Sequence, residues 1–240
     1  MVESRAEPYV SIVIPVYNEE AILHASVLDL IDRLGDFGRP YEIVIAENGS
    51  TDATVEVTRE LGRRFPQVRS RHTAEPNYGK ALRDGILDAK GEIIICEEID
   101  LCDIDFLRRA LHLLETEPVD LVVGSKAMKG ASDERPLFRR LGTHIVNGLL
   151  RLTLGFQGTD THGLKAFQRR RLQPIVQACL VDRDLFASEL VIRAQRAGLD
   201  VREIPVRVLE KRPPTVGLVR RIPNVLKNLV KLFIAIRVTK

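Results

Sequence analysis

Cysteine is scarce in this chain, long apolar runs are missing, and no two histidines stand at metal-ligand spacing; each shortage closes off a class of protein. The three cysteines, Cys96, Cys102 and Cys179, are odd in number and lack ligand spacing, which argues against a disulfide scaffold and a zinc site and fits a reducing compartment. No stretch approaches the roughly 20 apolar residues that span a bilayer, so any meeting with a membrane is expected at its surface. The N-terminus lacks a basic segment followed by an apolar one, and no signal peptide is expected. His24, His72, His112, His144 and His162 form no His-x-x-x-His pair and read as structural or surface residues. Basic residues are not interleaved with aromatics, so nucleic acid is not an expected partner. There is no repeat, low-complexity tract or dividing linker.

What remains is a chain of 240 residues, 45% apolar, long enough for a sizeable core. Its formal charge of +3 says little, but the charge is unevenly spread. From Gly217 to Lys240 there are Arg220, Arg221, Lys227, Lys231, Arg237 and Lys240 and no acidic residue.

Apolar runs alternate with helical patterns. Strands are expected at Val10 to Val16, Tyr41 to Ala46, Val68 to His72, Glu92 to Cys96 and Asp120 to Gly124. Helices are expected between them, at Glu20 to Leu34, Thr51 to Phe65, Lys80 to Ala89 and Ile104 to Glu117. Such βα repetition implies a mostly parallel sheet with right-handed crossovers. Ser50-Thr51-Asp52 and Asp103 offer N-cap oxygens. Lys126 to Pro136 reads as a loop, Leu137 to Leu154 as a helix and Gly163 to Phe167 as a strand. Helices around Arg169 to Cys179 and Leu185 to Ala197 then lead to a strand at Val201 to Val208. Glu210 to Pro214 is a charged connector, and Leu218, Ile222, Val225, Leu226, Leu229, Phe233 and Ile236 recur at helical spacing in the basic tail, with Pro223 expected in its first turn. Such a tail helix can dock on the domain or lie in the headgroup region of a membrane, and the membrane reading is favoured.

Four acidic stretches stand at the ends of apolar runs: Asn18-Glu19-Glu20, Glu47 to Asp52, Glu97 to Asp100, and Asp160 to Gly163. Ligands of open α/β sheets bind outside the carboxyl ends of the strands. Carboxylates gathered there would repel a phosphate, and a divalent cation removes the conflict. Mg²⁺ or Mn²⁺ suits oxygen ligands and can bridge a diphosphate.

The motifs occur in an order that resembles inverting family 2 glycosyltransferases of the GT-A fold. Ser11 to Glu20 resembles their opening strand, Glu47-Asn48-Gly49-Ser50-Thr51-Asp52 their Asp-Asp-Gly-Ser-Thr-Asp turn, Asn77-Tyr78-Gly79-Lys80-Ala81 their Asn-x-Gly-Lys segment, and Gly91 to Asp100 the strand ending in Asp-x-Asp. Val123 to Lys126, Asp160 to Phe167, Phe186 to Glu189, and Glu203 to Val206 followed by Lys211-Arg212 are similar to the subgroup of dolichyl- and polyprenyl-phosphate mannose or glucose synthases. Eight motifs in register are a specific signal.

The resemblance implies a GT-A (Rossmann-like) α/β domain over residues 1–212, with a mostly parallel central sheet flanked by helices, and a basic amphipathic helical tail over 213–240. It implies an enzyme that takes a hexose from a nucleotide diphosphate sugar, of GDP-mannose or UDP-glucose type, to a polyprenyl phosphate in cell-envelope glycan synthesis. The expected location is cytoplasmic, peripheral at the inner face of the membrane. Pro15, Tyr17 and Glu19 would line the nucleotide pocket, and Glu47 and Asn48 would approach the base. Asn77 belongs to the nucleotide-sugar set. Glu98 and Asp100 would hold Mg²⁺ or Mn²⁺, while Lys80 and Arg212 would meet the diphosphate. Lys126 and Arg139, with Thr143, match the positions for the acceptor phosphate, and Asp160 and Glu189 would line the sugar and acceptor side; His162 stands beside Asp160.

The departures from the family pattern are specific: Glu47-Asn48 for Asp-Asp, Glu98-Ile99-Asp100 for Asp-x-Asp, and Cys102 where the subgroup often has glutamine. Each glutamate adds a methylene to a ligand position, and magnesium tolerates little error in oxygen distance. Two alternatives stay open: transfer to a hydroxyl acceptor, with Glu189 or Asp160 as base, and a degenerate nucleotide-sugar-binding protein.

Overall fold

The structure, a computed structural model, describes residues 7–134, 136–208 and 218–237, without the side chains of residues 139, 184 and 218–226. The chain runs β1 (Val10–Val16), α1 (Leu23–Arg33), β2 (Tyr41–Asn48), α2 (Thr54–Arg64), β3 (Val68–Thr73), α3 (Tyr78–Asp88), β4 (Ile93–Cys96), α4 (Ile104–Thr116) and β5 (Leu121–Ser125). It continues β6 (Ser132–Asp133), α5 (Leu137–Leu154), β7 (Lys165–Gln168), α6 (Arg169–Ala178), α7 (Phe186–Arg196), β8 (Val201–Pro205), β9 (Arg207–Val208) and α8 (Leu218–Arg237).

Seven strands form one sheet in the order β3-β2-β1-β4-β7-β5-β8. All neighbours are parallel except β7, which runs antiparallel to both β4 and β5. Because side chains alternate along a strand, the sheet feeds two cores. Ile12, Ile14, Ile43, Ile45 and Ile95 face the layer that holds α1, α2 and α4. Val13, Val44, Ile94, Cys96 and Phe167 face the layer built from α3, α5, α6, α7 and α8. Both faces being covered is why these strands read as near-continuous β-branched runs. All three cysteines are buried and unpaired. Burial pushes the thiols of Cys96 and Cys102 up to about 12, which keeps them protonated and inert.

From β1 the chain steps outward to β2 and β3, then returns to place β4 on the other side of β1. The strand order therefore reverses between β1 and β4, the place where open α/β sheets leave a crevice.

Four expectations are corrected. Helix α2 starts at Thr54 rather than Thr51: Asp52 Oδ1 accepts from the Thr54 amide at 3.0 Å, while Ser50 and Thr51 bond to the segment after β1. The expected loop between Lys126 and Pro136 contains β6, which pairs with β9. The single strand expected at Val201 to Val208 is two: β8 belongs to the large sheet and β9 to the small one. Pro223 stands at the sixth position of α8 rather than in its first turn. The expected connector Glu210 to Pro214 lies outside the described residues.

Candidate active site

At the carboxyl end of β1 the backbone turns through Asn18, which has a φ of +53°. This bend is tied to the loop after β2 by side chains from both. The Asn18 amide donates to Ser50 Oγ at 2.9 Å, the Thr51 amide to Asn18 Oδ1 at 2.8 Å, the Glu19 amide to Thr54 Oγ1 at 2.8 Å, and the Ala53 amide to Glu20 Oε2 at 2.8 Å. Gly49 allows the loop to pass the neighbouring chain: its φ is +68°, and a Cβ there would lie 2.8 Å from the Glu75 carbonyl carbon. Polar side chains in these two segments thus brace the rim.

The rim encloses a cleft of about 210 Å³ at the β1/β4 switch point. Pro15, Tyr17, Glu19, Asn48, Glu98 and Asp100 all line it, so six of the residues singled out in the sequence are brought together from three segments. Tyr78, at the start of α3, also lines the cleft, and its hydroxyl donates to Glu98 Oε1. Asn48 reaches further, accepting from the Asn77 amide at 2.5 Å. Asn77 itself caps α3 by accepting from the Lys80 amide at 3.1 Å, and it also accepts from the Arg183 amide at 2.8 Å.

The acidic segment after β4 divides its labour. Glu97 is buried, and one oxygen accepts from the Asp103 amide at 3.2 Å while Oε1 has no partner. Burial holds its carboxyl well above the usual range. Glu98 faces the cleft and is pushed up to about 7, first by burial and further by the charge of Asp100, against the pull of the Tyr78 hydroxyl and of Lys165 and Lys126. An oxygen-rich cleft in which one carboxylate discourages ionisation of the next fits a divalent cation. Among the described residues no group of three or more His, Cys, Asp or Glu side chains is gathered closely enough to hold a metal ion alone. Glu98 and Asp100 are the cleft carboxylates that would offer oxygen ligands to such a cation.

A second polar cluster lies where β5, α5, α7 and β8 converge. Asp160 is fully buried. Its Oδ2 accepts from Lys126 Nζ at 2.6 Å and its Oδ1 from the His162 amide at 2.9 Å. Burial opposes its charge, but Lys126 and the His162 amide together hold the carboxyl below the usual range. Glu203 on β8 accepts from the amides of Thr159 and Asp160 at 2.6 and 3.0 Å. Asn147 on α5 donates to the Thr159 carbonyl at 2.6 Å. Gly163 is required here, since a Cβ would fall 1.6 Å from the Gly124 carbonyl oxygen. Between the two clusters sits Lys165, fully buried at the start of β7, with Nζ donating to the Gly163 carbonyl at 2.7 Å. Burial pulls its pKa down, while Asp160 and Glu98 are among the groups whose charge supports it.

Other singled-out residues have different surroundings. Glu47 is buried in its own turn, accepting from the Ser50 amide at 2.6 Å and contacting His72 Nδ1 through its other oxygen. Glu189 is buried in α7, accepting from the Leu180 and Val181 amides and, at 2.7 Å, from Arg193 Nε. Lys80 is exposed on α3 and pairs with Asp84 at 2.5 Å. Thr143 lies one turn before Asn147 on α5, and Arg139 one turn earlier still; the Arg139 side chain and the whole of Arg212 lie outside the described residues. A larger cavity of about 360 Å³ lies between α8 and the segment before α7, lined by Asn77, Asp182, Arg183 and Lys231. It includes neither of the acidic clusters.

Tyr78, Glu203 and Lys165 carry no assignment from the sequence, although each lies inside a matched motif. A lysine opening a strand reads as surface, and its burial shows only once β4 and β5 close around it.

The profile of the family described as Glycosyl transferase family 2 matches residues 11–173. The chain belongs to that family. Similar proteins include Glycosyltransferase AglD of Haloferax volcanii, 29% identical over 96% of this chain and 38% of its own length. A dolichyl-phosphate beta-glucosyltransferase of Trichomonas vaginalis is 28% identical over 84% of this chain and 66% of its own length. The chain thus spans just over a third of the first and about two thirds of the second. A dolichyl-phosphate hexose transferase of Haloferax volcanii is 29% identical over 84% of this chain and 83% of its own. Among solved structures, glucosyl-3-phosphoglycerate synthase of Mycobacterium tuberculosis, in complex with Mn²⁺, UDP and phosphoglyceric acid, superposes with a TM-score of 0.66 at 22% identity, covering 94% of this chain and 78% of that one. The family 2 membership and the GT-A arrangement expected from the motifs are both borne out.

Proposed function

We propose that this family 2 chain transfers a hexose, with inversion, from a nucleotide diphosphate sugar to a polyprenyl phosphate at a membrane surface. The observation that carries the reading is the gathering of Glu19, Asn48, Glu98 and Asp100 around one cleft, with Lys126 near enough for its charge to act on Glu98. Relatives named for dolichyl phosphate support a lipid phosphate acceptor. The neighbour solved with Mn²⁺ and UDP supports a nucleotide and a divalent cation.

Pro15, Tyr17 and Glu19 line the nucleotide site in this reading, and Asn48 offers an amide oxygen to a base N–H. Glu98 and Asp100 would hold Mg²⁺ or Mn²⁺, which when bound neutralises the departing diphosphate. A phosphate monoester has a second pKa near 6 and is largely dianionic at pH 7, so the acceptor needs no general base. Lys126 aligns that dianion, held in place by Asp160, and Glu203 fixes the loop that carries Asp160. Arg139 and Thr143 are assigned to the same phosphate, Arg212 and Lys80 to the leaving diphosphate, and Asn77 to the sugar nucleotide through Asn48. Glu47 and Glu189, whose oxygens accept from neighbouring amides, are assigned bracing roles in this reading. The basic tail is assigned to the membrane surface, and no described helix is long and apolar enough to cross one.

The test is a panel of nucleotide sugars incubated with a short-chain polyprenyl phosphate and Mg²⁺ or Mn²⁺, with products read by mass spectrometry. A hexosyl phosphate lipid is expected. Product only on hydroxyl acceptors overturns the acceptor assignment and returns Asp160, ionised at neutral pH, as a base. Nucleotide-sugar binding without turnover on any acceptor overturns the enzyme.

A further inference from the structure

Helix α5 uses its faces in three ways. At about 100° per residue, Asn147, Leu150 and Leu154 turn toward the domain, where they are buried. Arg140, His144 and Arg151 share a second sector. Leu137, Phe138, Leu141, Ile145, Leu149 and Leu152 fall within a third, about 120° wide. This third sector is open: Leu152 is 84% exposed, Leu137 78%, Leu141 61% and Ile145 55%. Scattered apolar residues on a surface need no explanation, but a continuous stripe along more than four turns marks an interaction surface.

Helix α8 packs beside α5, with Arg237 reaching the Thr153 carbonyl at 3.4 Å. Leu232 and Ala235 are buried against the domain, while Val230, Phe233 and Ile234 stay exposed. Neither helix contains an aspartate or glutamate.

We infer that the apolar sector of α5, flanked by α8, seats the protein on an anionic lipid bilayer. An apolar stripe bordered by cations is the arrangement that buries itself at the headgroup boundary, and the absence of acidic residues removes the repulsion that anionic lipid would otherwise meet. A second copy of the chain is a poorer occupant. A two-fold contact on this face would bring the Arg140, His144 and Arg151 sector against its own equivalent. The placement also has a consequence for the acceptor. The inward face of α5 holds Thr159 beside Asp160, so a bilayer on the outward face lies about one helix diameter, 10–12 Å, from the acceptor-side cluster. A phosphate at headgroup depth would need only a short rise to reach Lys126.

This seat deepens the lipid-acceptor reading and rests on it for its purpose, yet vesicle binding is measured without donor, acceptor or turnover, so either can fail alone. The experiment is flotation of the full chain with vesicles of phosphatidylglycerol and phosphatidylcholine, and with phosphatidylcholine alone. The wild type should float with the anionic vesicles and weaken as salt rises. Leu141→Glu with Ile145→Glu should lower partitioning by at least about tenfold, and Leu152→Gln by a few-fold, with melting temperatures unchanged because these positions are exposed. If the double variant fails to fold, Leu152→Gln, at the most open position, carries the test. Wild type that stays soluble at low salt, folded variants that bind as wild type does, or sedimentation showing the stripe covered by a second copy would each overturn the inference.

Discussion

The two ends of the β1–β2–β4 strands both carry carboxylates, and they are treated in opposite ways. At the amino-terminal end, Glu42 lies opposite Ser11 in the register of β1 and β2. It accepts from Ser11 Oγ at 2.6 Å, Arg69 Nε at 2.6 Å and the Lys90 amide at 2.7 Å. Burial opposes its charge, but Arg69, Ser11 and the amide win, and its pKa lies below the usual value. At the carboxyl-terminal end, Glu98 is pushed up to about 7 beside Asp100, and a Glu97 oxygen is left without a partner. A fold must neutralise its own buried charge where nothing else will arrive. Where a ligand does arrive, the compensation is left to it, which is why perturbed carboxylates mark functional ends of sheets.

The largest effect should come from the open end. Asp100→Ala is expected to lower transfer by roughly 10³-fold, since stabilisation of the leaving diphosphate is lost. Near-normal turnover would break the contrast between the two ends.

Next in size is Lys126→Met, which strands the buried Asp160 charge at a pair that is 10% and 0% exposed. It should cost about 3–5 kcal/mol in denaturant unfolding as well as acceptor affinity. Adding Asp160→Asn should restore much of the stability and none of the transfer, and the double-mutant cycle measures that coupling.

At the closed end, Glu42→Gln should cost about 1–3 kcal/mol and leave activity alone. Because the folded pKa of Glu42 is depressed, its stabilisation is complete above the unfolded value near 4.3 and is lost as pH falls through the folded value. The wild-type advantage in melting temperature should therefore shrink below about pH 4. An activity loss in this variant would erase the distinction.

The smallest expected change is Tyr78→Phe. Losing one hydroxyl that supports the Glu98 carboxylate should raise the metal concentration for half-maximal transfer by about fivefold, the worth of a single hydrogen bond. Titration of Mg²⁺ and Mn²⁺ against rate measures it.

Much of this molecule was legible in order of residues alone. β1 and α5 have the ends their apolar patterns predict, because a doubly buried strand and an amphipathic helix each leave a clear period. The start of α1 was set too early, at Glu20 rather than Leu23, since Asn18 to Glu20 spend their polar groups on the neighbouring loop. The reversed direction of β7 left no local mark: a four-residue strand looks the same either way. Motif and strand end together pointed to Glu19, Asn48, Glu98 and Asp100, which line one cleft. Glu47 and Glu189 resemble them in sequence, yet amides and cations already occupy their oxygens.

The sequence by itself determined the βα alternation, the family and the acidic strand ends, because period and motif are local and survive without neighbours. Only the tertiary structure decided which carboxylates stay open, that Lys165 is buried between two clusters, and that the apolar stripe of α5 faces outward. Those properties depend on what packs against each side chain, and packing partners distant in the chain write no pattern into the segment they cover.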